Sequence, residues 1–272
     1  MKTKIGAALW LATYIFSMSS LAQDGINHRD IVYGHKDGMA MVYDVAVPSN
    51  ANGAGIVFVV SGGFLSSIQQ QQMISPVVSP LYEAGFTVFY LRHPSTPKYL
   101  APEIYDALKI GMAHILENAS DFGVDPSRIG TLGMSTGGLL SLLLAVDQPE
   151  SANLVDGLRP SASVAYMPVT DIRPQVGNVR ATPSLGFDPE LAPQLSPIDF
   201  VSPEDPPILF IHGSRDQIVL PEESLTMHER LVSIGVKTEL LTVDAGHELF
   251  SGEVKQLADS SAVQWFTEHL LK

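Results

Sequence analysis

Cysteine is absent from the 272 residues, so a disulfide framework, a thiolate-bound zinc, an iron–sulfur cluster and a cysteine nucleophile are all excluded. Basic side chains are scarce: 16 Lys and Arg stand against 29 Asp and Glu, a formal charge of −13 at pH 7. That balance argues against nucleic acid and anionic membranes as partners, since both select cationic surfaces. Beyond the first segment, no stretch approaches the roughly 18 uninterrupted apolar residues that a membrane helix needs. Apolar residues nevertheless make up 45% of the chain against 17% charged, which supplies a real core and excludes global disorder.

Residues 1–22 read as an address rather than as structure. Lys2 and Lys4 make a basic start, residues 5–16 a short apolar run, and Ser20-Leu21-Ala22 a small-residue end. Those parts in that order mark a secretory signal peptide, with cleavage expected after Ala22 and export to a periplasm or the medium. An uncleaved N-terminal anchor is the alternative, and the shortness of the run weighs against it.

The remaining chain alternates between two periods. Residues 31–33 and 39–47 flank the turn-rich Gly34-His35-Lys36-Asp37-Gly38 and predict an antiparallel hairpin. Continuous apolar runs at 55–60, 87–91, 129–132, 163–166, 208–211 and 237–243 predict strands buried on both faces. Between them, residues 101–119 place Ile104, Leu108 and Ile115 on one helical face, with Pro102 in the first turn, where its missing N–H costs nothing. Residues 136–146 are apolar nearly all round, predicting a helix sandwiched deep in the protein; residues 221–234 and 254–271 complete the helical set. Alternating strands and helices with short connections predict a doubly wound, mostly parallel sheet. Residues 160–207 break the rhythm, with ten of the 19 prolines and no period beyond the strand at 163–166, and are read as a small lid over one edge of the sheet. Gln69–Gln72 reads as a solvated loop or helix start and is given no chemistry.

Three places carry chemistry. Gly133-Met134-Ser135-Thr136-Gly137 sits between a buried strand and a buried helix. A nucleophile elbow needs this arrangement, because the chain reverses so tightly that side chains two residues either side of the serine would collide. Such a serine needs a base to take its proton and a third group to hold the base in one tautomer. Asp216, beyond the strand at 208–211, and His247, beyond the strand at 237–243, follow in the order acid then histidine. Asp244 is the rival acid on the loop of His247. For Asp216 the alternative role is a turn residue capping its own backbone. His114, His228 and His269 fall within predicted helices, and His212 at a strand end is read as a structural hydrogen-bonding residue. The third place is Ser61-Gly62-Gly63-Phe64, where glycine lets backbone N–H groups approach a developing oxyanion. Thr136, after the nucleophile, is expected to give one N–H and the loop of Gly62, Gly63 and Phe64 the other; Met134 and Phe64 are the expected substrate-contacting side chains.

Taken together, these motifs resemble the α/β-hydrolase superfamily, in its esterase branch of acetyl-xylan and feruloyl esterase-like proteins related to prolyl-oligopeptidase-like catalytic domains. Ala101-Pro102, Asp125-Pro126-Ser127-Arg128, Pro168-Val169-Thr170-Asp171, Ser196-Pro197, His212-Gly213 and Gly246-His247 carry the likeness outside the elbow. Where relatives usually have His-Gly-Gly-Gly, this chain has Ser61-Gly62-Gly63-Phe64, and Leu91-Arg92 stands in place of Tyr-Arg. The resemblance implies one α/β-hydrolase domain over residues 23–272, with Ser135 as nucleophile, Asp216 as orienter and His247 as general base. It implies a small-molecule or carbohydrate-linked ester as substrate, with neither metal nor organic cofactor. A serine peptidase of prolyl-oligopeptidase-like type is the nearer alternative, and a non-catalytic binding protein on the same fold the more distant one.

Overall fold

The computed structural model describes residues 25–146, 159–248 and 250–272. The leader expected over residues 1–22 lies outside the described residues. Strands β1 (His28–Lys36) and β2 (Met39–Ala46) form the expected antiparallel hairpin. The turn is tighter than the sequence suggested: Gly34 to Lys36 pair with β2, and only Asp37 and Gly38 make the connection, with φ of 50° and 78°. An Asp-Gly pair with both φ positive is the two-residue hairpin turn whose twist matches the strands.

The hairpin lies at one end of an eight-stranded sheet. Its other members are β3 (Gly55–Val59), β4 (Thr87–Leu91), β5 (Ile129–Met134), β6 (Ala162–Tyr166), β7 (Ile208–Gly213) and β8 (Thr238–Val243). The order across the sheet is β1-β2-β4-β3-β5-β6-β7-β8, with β2 antiparallel to β4 and every later pairing parallel. Every residue of β3, β4, β5, β6 and β7 is buried, because helices cover both faces. Ile56, Phe58 and Val60 pack in one core with Leu81, Trp265 and Phe266. Their alternates, Val57 and Val59, pack in a second core with Ile104, Leu108, Leu139 and Leu143. A run that alternates between two dry faces has no polar positions, and this is why the strands read as continuous apolar segments.

The helices are α1 (Ile68–Ile74), α2 (Ser79–Glu83), α3 (Ala101–Asn118), α4 (Thr136–Val146), α5 (Glu222–Ser233) and α6 (Gly252–Leu270). All eleven residues of α4 are buried, as its all-round apolar sequence requires. From β3 the chain passes through α1 and α2 to β4 on one side, then through α3 to β5 on the other side of β3. Right-handed crossovers in opposite directions put their helices on opposite faces. The reversal opens a crevice beyond the carboxyl ends of β3 and β5, where open α/β sheets bind ligands.

The proline-rich segment differs from its sequence reading in how it sits. After β6, residues 167–207 run through four short 3₁₀ turns joining two interior strands. Leu185, Phe187, Ala192 and Leu195 are buried in the core that holds α3, and the Ser184 hydroxyl donates to the Tyr99 carbonyl at 2.7 Å. At the other end, Glu223 of α5 accepts from the Thr170 and Asp171 N–H groups at 2.8 and 3.0 Å. The segment is therefore anchored on the α3 and α5 side, while Val169, Gln175 and Thr182 face the crevice.

Candidate active site

Ser135 stands between β5 and α4 with φ of 54°. That left-handed conformation strains a residue bearing a side chain, and the neighbours show what enforces it. A Cβ on Gly133 would lie 2.0 Å from the Gly137 carbonyl oxygen, and one on Gly137 would lie 2.8 Å from the Val59 carbonyl oxygen. Glycine at both positions lets α4 start directly against β3 and β5. The Ser135 N–H donates to the Tyr166 carbonyl at 2.8 Å, so the turn is tied to β6 as well.

Two loops bring their side chains to this hydroxyl. His247 Nε2 lies 2.8 Å from Ser135 Oγ, and His247 Nδ1 lies 2.6 Å from Asp216 Oδ2. A carboxylate only accepts, so Nδ1 carries the proton and Nε2 accepts from the serine hydroxyl. Residues 31 and 112 positions apart thus form one hydrogen-bonded chain. The other carboxylate oxygen of Asp216 accepts from the Ile218 and Val219 N–H groups at 2.9 and 3.0 Å. The turn-capping role and the histidine-orienting geometry therefore coexist, one on each oxygen. Burial pushes the Asp216 carboxyl up, but the His247 hydrogen bond, the two N–H donors and the imidazole charge together hold it below its ordinary value.

The competing groups fall elsewhere. Asp244 carries its carboxylate 3.1 Å from Arg215 with its side chain 76% exposed. His114 bonds Tyr43, and His228 bonds Thr238. His212 is buried behind Asp216, with Nε2 at 3.0 Å from the Val219 carbonyl and 3.4 Å from Asp216 Oδ2. Because that carbonyl only accepts, Nε2 carries the hydrogen and Nδ1 accepts from the Ser224 hydroxyl at 2.7 Å. Burial depresses the His212 pKa, keeping this imidazole neutral and its fixed dipole beside the carboxylate.

The glycine turn is also close by, but it is arranged differently from the sequence expectation. Gly63 and Phe64 have φ of 57° and 62°, and Gly62 and Leu65 exchange both backbone hydrogen bonds across them. The Gly62 N–H is thus taken by Leu65, and the Gly63 N–H donates to Thr136 Oγ1 at 3.1 Å. The Thr136 N–H opens α4 and belongs to the turn whose amides have no intrahelical acceptor. Phe64 was expected to contact substrate; instead its side chain is buried in the core with Tyr99 and α3 and does not line the crevice. The positive φ at Phe64 sends the side chain inward, a direction that sequence position alone does not disclose.

Ser135, Thr136 and His247 open on a cavity of about 440 Å³. Met134 lines it, together with Ile74, Val169, Ile218 and Val219. Gln70, Gln175 and Thr182 supply side-chain amides and a hydroxyl that sequence reading did not select; nothing in their local pattern singled them out. Among the described residues, no lining side chain other than the His247 imidazole is ionisable under ordinary conditions. Among the described residues, no cluster of three or more His, Asp or Glu side chains has the spacing of a metal site.

Comparison with known proteins agrees with this architecture. Esterase LipQ of Mycobacterium tuberculosis is 26% identical over 204 residues, covering 68% of this chain and 47% of that protein. Esterase LipC of the same organism is 27% identical over 233 residues, covering 77% and 56%. This chain spans about half the length of these curated relatives. Among solved structures, a truncated carbohydrate esterase from gut microbiota superposes with a TM-score of 0.74 at 21% identity, over 92% of this chain and 99% of that one. Thermogutta terrifontis esterase 2 gives 0.77 at 19% identity, over 91% and 96%. These likenesses establish the α/β-hydrolase fold. The family model for BD-FAE matches residues 43–231, more than half the chain and the span that carries Ser135 and Asp216, and the protein therefore belongs to the BD-FAE family.

Proposed function

We propose that the protein is a serine hydrolase that cleaves uncharged carboxylic esters through an acyl-enzyme on Ser135. The observation that carries this reading is the unbroken chain Asp216–His247–Ser135, at 2.6 and 2.8 Å, opening on a cavity with uncharged walls. His247 Nε2 takes the Ser135 proton as Oγ attacks the ester carbonyl carbon. The carbonyl oxygen becomes an oxyanion, held by the Thr136 N–H at the positive end of α4. Collapse breaks the bond to the alcohol oxygen, which leaves with the proton from Nε2. Water then gives a proton to the same nitrogen, attacks the acyl carbon and releases the acid, restoring the Ser135 hydroxyl. Asp216 keeps Nδ1 protonated and the ring in place throughout.

Membership of the BD-FAE family and similarity to proteins named as esterases support ester over amide bonds as the substrate. Small-molecule or carbohydrate-linked esters fit the family resemblance. Residues 160–207 act as the lid in this reading, through the contribution of Val169, Gln175 and Thr182 to the cavity wall. The basic, apolar and small-residue order of residues 1–22 supports export.

The test is Ser135→Ala. Hydrolysis of a short-chain p-nitrophenyl ester should fall about 10⁴-fold or more with the circular dichroism spectrum unchanged. A fluorophosphonate should add its mass to the peptide that contains Ser135. Activity retained within a few fold, or labelling at another residue, removes Ser135 from the mechanism.

A further inference from the structure

An oxyanion in an acyl-transfer site needs two preorganised donors, and the glycine turn does not offer its amides freely. The Gly62 N–H is bonded to the Leu65 carbonyl, and the Gly63 N–H is bonded to Thr136 Oγ1 at 3.1 Å. Of residues 62–65, which close the turn, these two line the cavity, as does the preceding Ser61; Phe64, with the next amide, does not. Thr136 Oγ1 has accepted one hydrogen bond, and among the described residues its own hydrogen meets no acceptor. Thr136 lines the cavity beside Ser135 and His247 and is 8% exposed.

We infer that the side-chain hydroxyl of Thr136 is the second oxyanion donor, so that one residue supplies both hydrogen bonds, through N–H and through Oγ1–H. The inference rests on Ser135 being the acyl-accepting nucleophile. The Gly63 amide acts on Oγ1 in two ways. It occupies one lone pair, which fixes the hydroxyl oxygen and leaves the hydrogen to point elsewhere. It also polarises the O–H bond, because a hydroxyl that accepts from an amide becomes a better donor. The β-branched side chain restricts χ1, so the group is held before the reaction begins. Pre-positioned donors cost no reorganisation as charge develops. The glycine turn keeps a role as the positioning element: its consecutive positive φ values at residues 63 and 64 aim the amide at Thr136 rather than at substrate.

The test compares wild type, Thr136→Val and Thr136→Ser in two assays, steady-state hydrolysis of p-nitrophenyl butyrate and the rate of Ser135 modification by a fluorophosphonate. Valine keeps the shape and removes the hydroxyl; serine restores it. Thr136→Val should lower kcat and the modification rate by about 10²- to 10³-fold, the range for loss of one oxyanion donor, with KM changed less than about threefold. Thr136→Ser should recover most of that loss. If Thr136→Val matches or exceeds wild type, the freed Gly63 amide is the donor and the inference is overturned. Equal impairment of both variants assigns Thr136 a packing role and overturns it as well. Should Thr136→Val not fold, Thr136→Ala is compared with Thr136→Ser by the same criteria. Wild-type protein that neither hydrolyses the ester nor takes up the phosphonate at Ser135 overturns the nucleophile assignment itself, an outcome distinct from a Thr136 variant that behaves as wild type.

Discussion

Ser135 illustrates how a residue is forced into a conformation it would avoid alone. A left-handed non-glycine residue costs on the order of 1–3 kcal/mol and persists where its surroundings over-determine it, here through Gly133, Gly137 and the bond to Tyr166. His93 shows a different residue-scale constraint. Its ring is buried, Nδ1 donates to the Pro94 carbonyl at 2.7 Å, and Nε2 has no hydrogen-bond partner. Burial, opposed only by that bond, pushes its pKa down from 6.5 to about 4. Between those values the unfolded chain binds a proton that the folded protein refuses, so stability falls as pH is lowered through this window. The shift amounts to about 3 kcal/mol once pH reaches 4, at about 1.4 kcal/mol per unit. Above pH 6.5 both states are neutral at this site and the effect vanishes. His212 and His269, whose pKa values are also depressed, add to the same limb. His93→Asn, which keeps an N–H for Pro94 and does not titrate, should therefore flatten the loss of stability between pH 6.5 and 4.5 without abolishing it. Urea midpoints across that range measure it, and an equally steep limb in the variant contradicts the assignment.

Elements are joined by a buried polar cluster around Asp44 on β2. Its side chain is fully buried, with Arg92 at 2.9 Å, the Gln71 amide of α1 at 2.9 Å and the Asp30 N–H of β1 at 2.8 Å. The cluster ties the hairpin, the end of β4 and α1 to one carboxylate. Asp44→Ala leaves the Arg92 guanidinium and the Gln71 amide without that carboxylate, and should cost about 3–5 kcal/mol in urea unfolding. Gln71→Met should cost less than about 1 kcal/mol. It removes one charge-assisted bond, worth about 1.5–3 kcal/mol, but also removes the buried Gln71 Oε1, which has no partner and costs a comparable amount. Similar costs for the two variants would refute this ranking. The same cluster marks where sequence reading stops. Strands β3 to β7 and helix α4 were legible because burial on every side leaves an apolar run, whereas β8, expected to be buried on both faces, lies at the sheet edge with only Val243 buried. Helices α1 and α2 were not: Gln69–Gln72 shows no apolar stripe, and these short helices are set by contacts with distant partners such as Asp44. The elbow and both later loops were legible because each is a local chain pattern after a strand. The bond from Gly63 to Thr136 was not, since it joins residues 73 positions apart and depends on how β3 and β5 come to lie side by side.

At the scale of the whole molecule, charge and topology act on the same place. The reversal of strand order opens the crevice, and among the described residues the lining contributes no cation to set against a formal charge of −13. An uncharged ester should feel little of this field, so its kcat/KM should stay within about twofold as salt is raised from about 0.01 to 1 M, over which the Debye length shrinks from about 30 to 3 Å. An ester whose acyl chain ends in a carboxylate meets two penalties. The first is long-range repulsion, which salt screens. The second is desolvation of its charge in a cavity with no cationic partner, which salt leaves in place. The p-nitrophenyl half-ester of glutaric acid should therefore be cleaved more slowly than p-nitrophenyl valerate at low salt. The gap should narrow as salt rises but not close. A half-ester that is preferred at low salt, or whose rate falls as salt is added, would require a cationic contact in the bound state and would remove uncharged walls as the basis of selectivity.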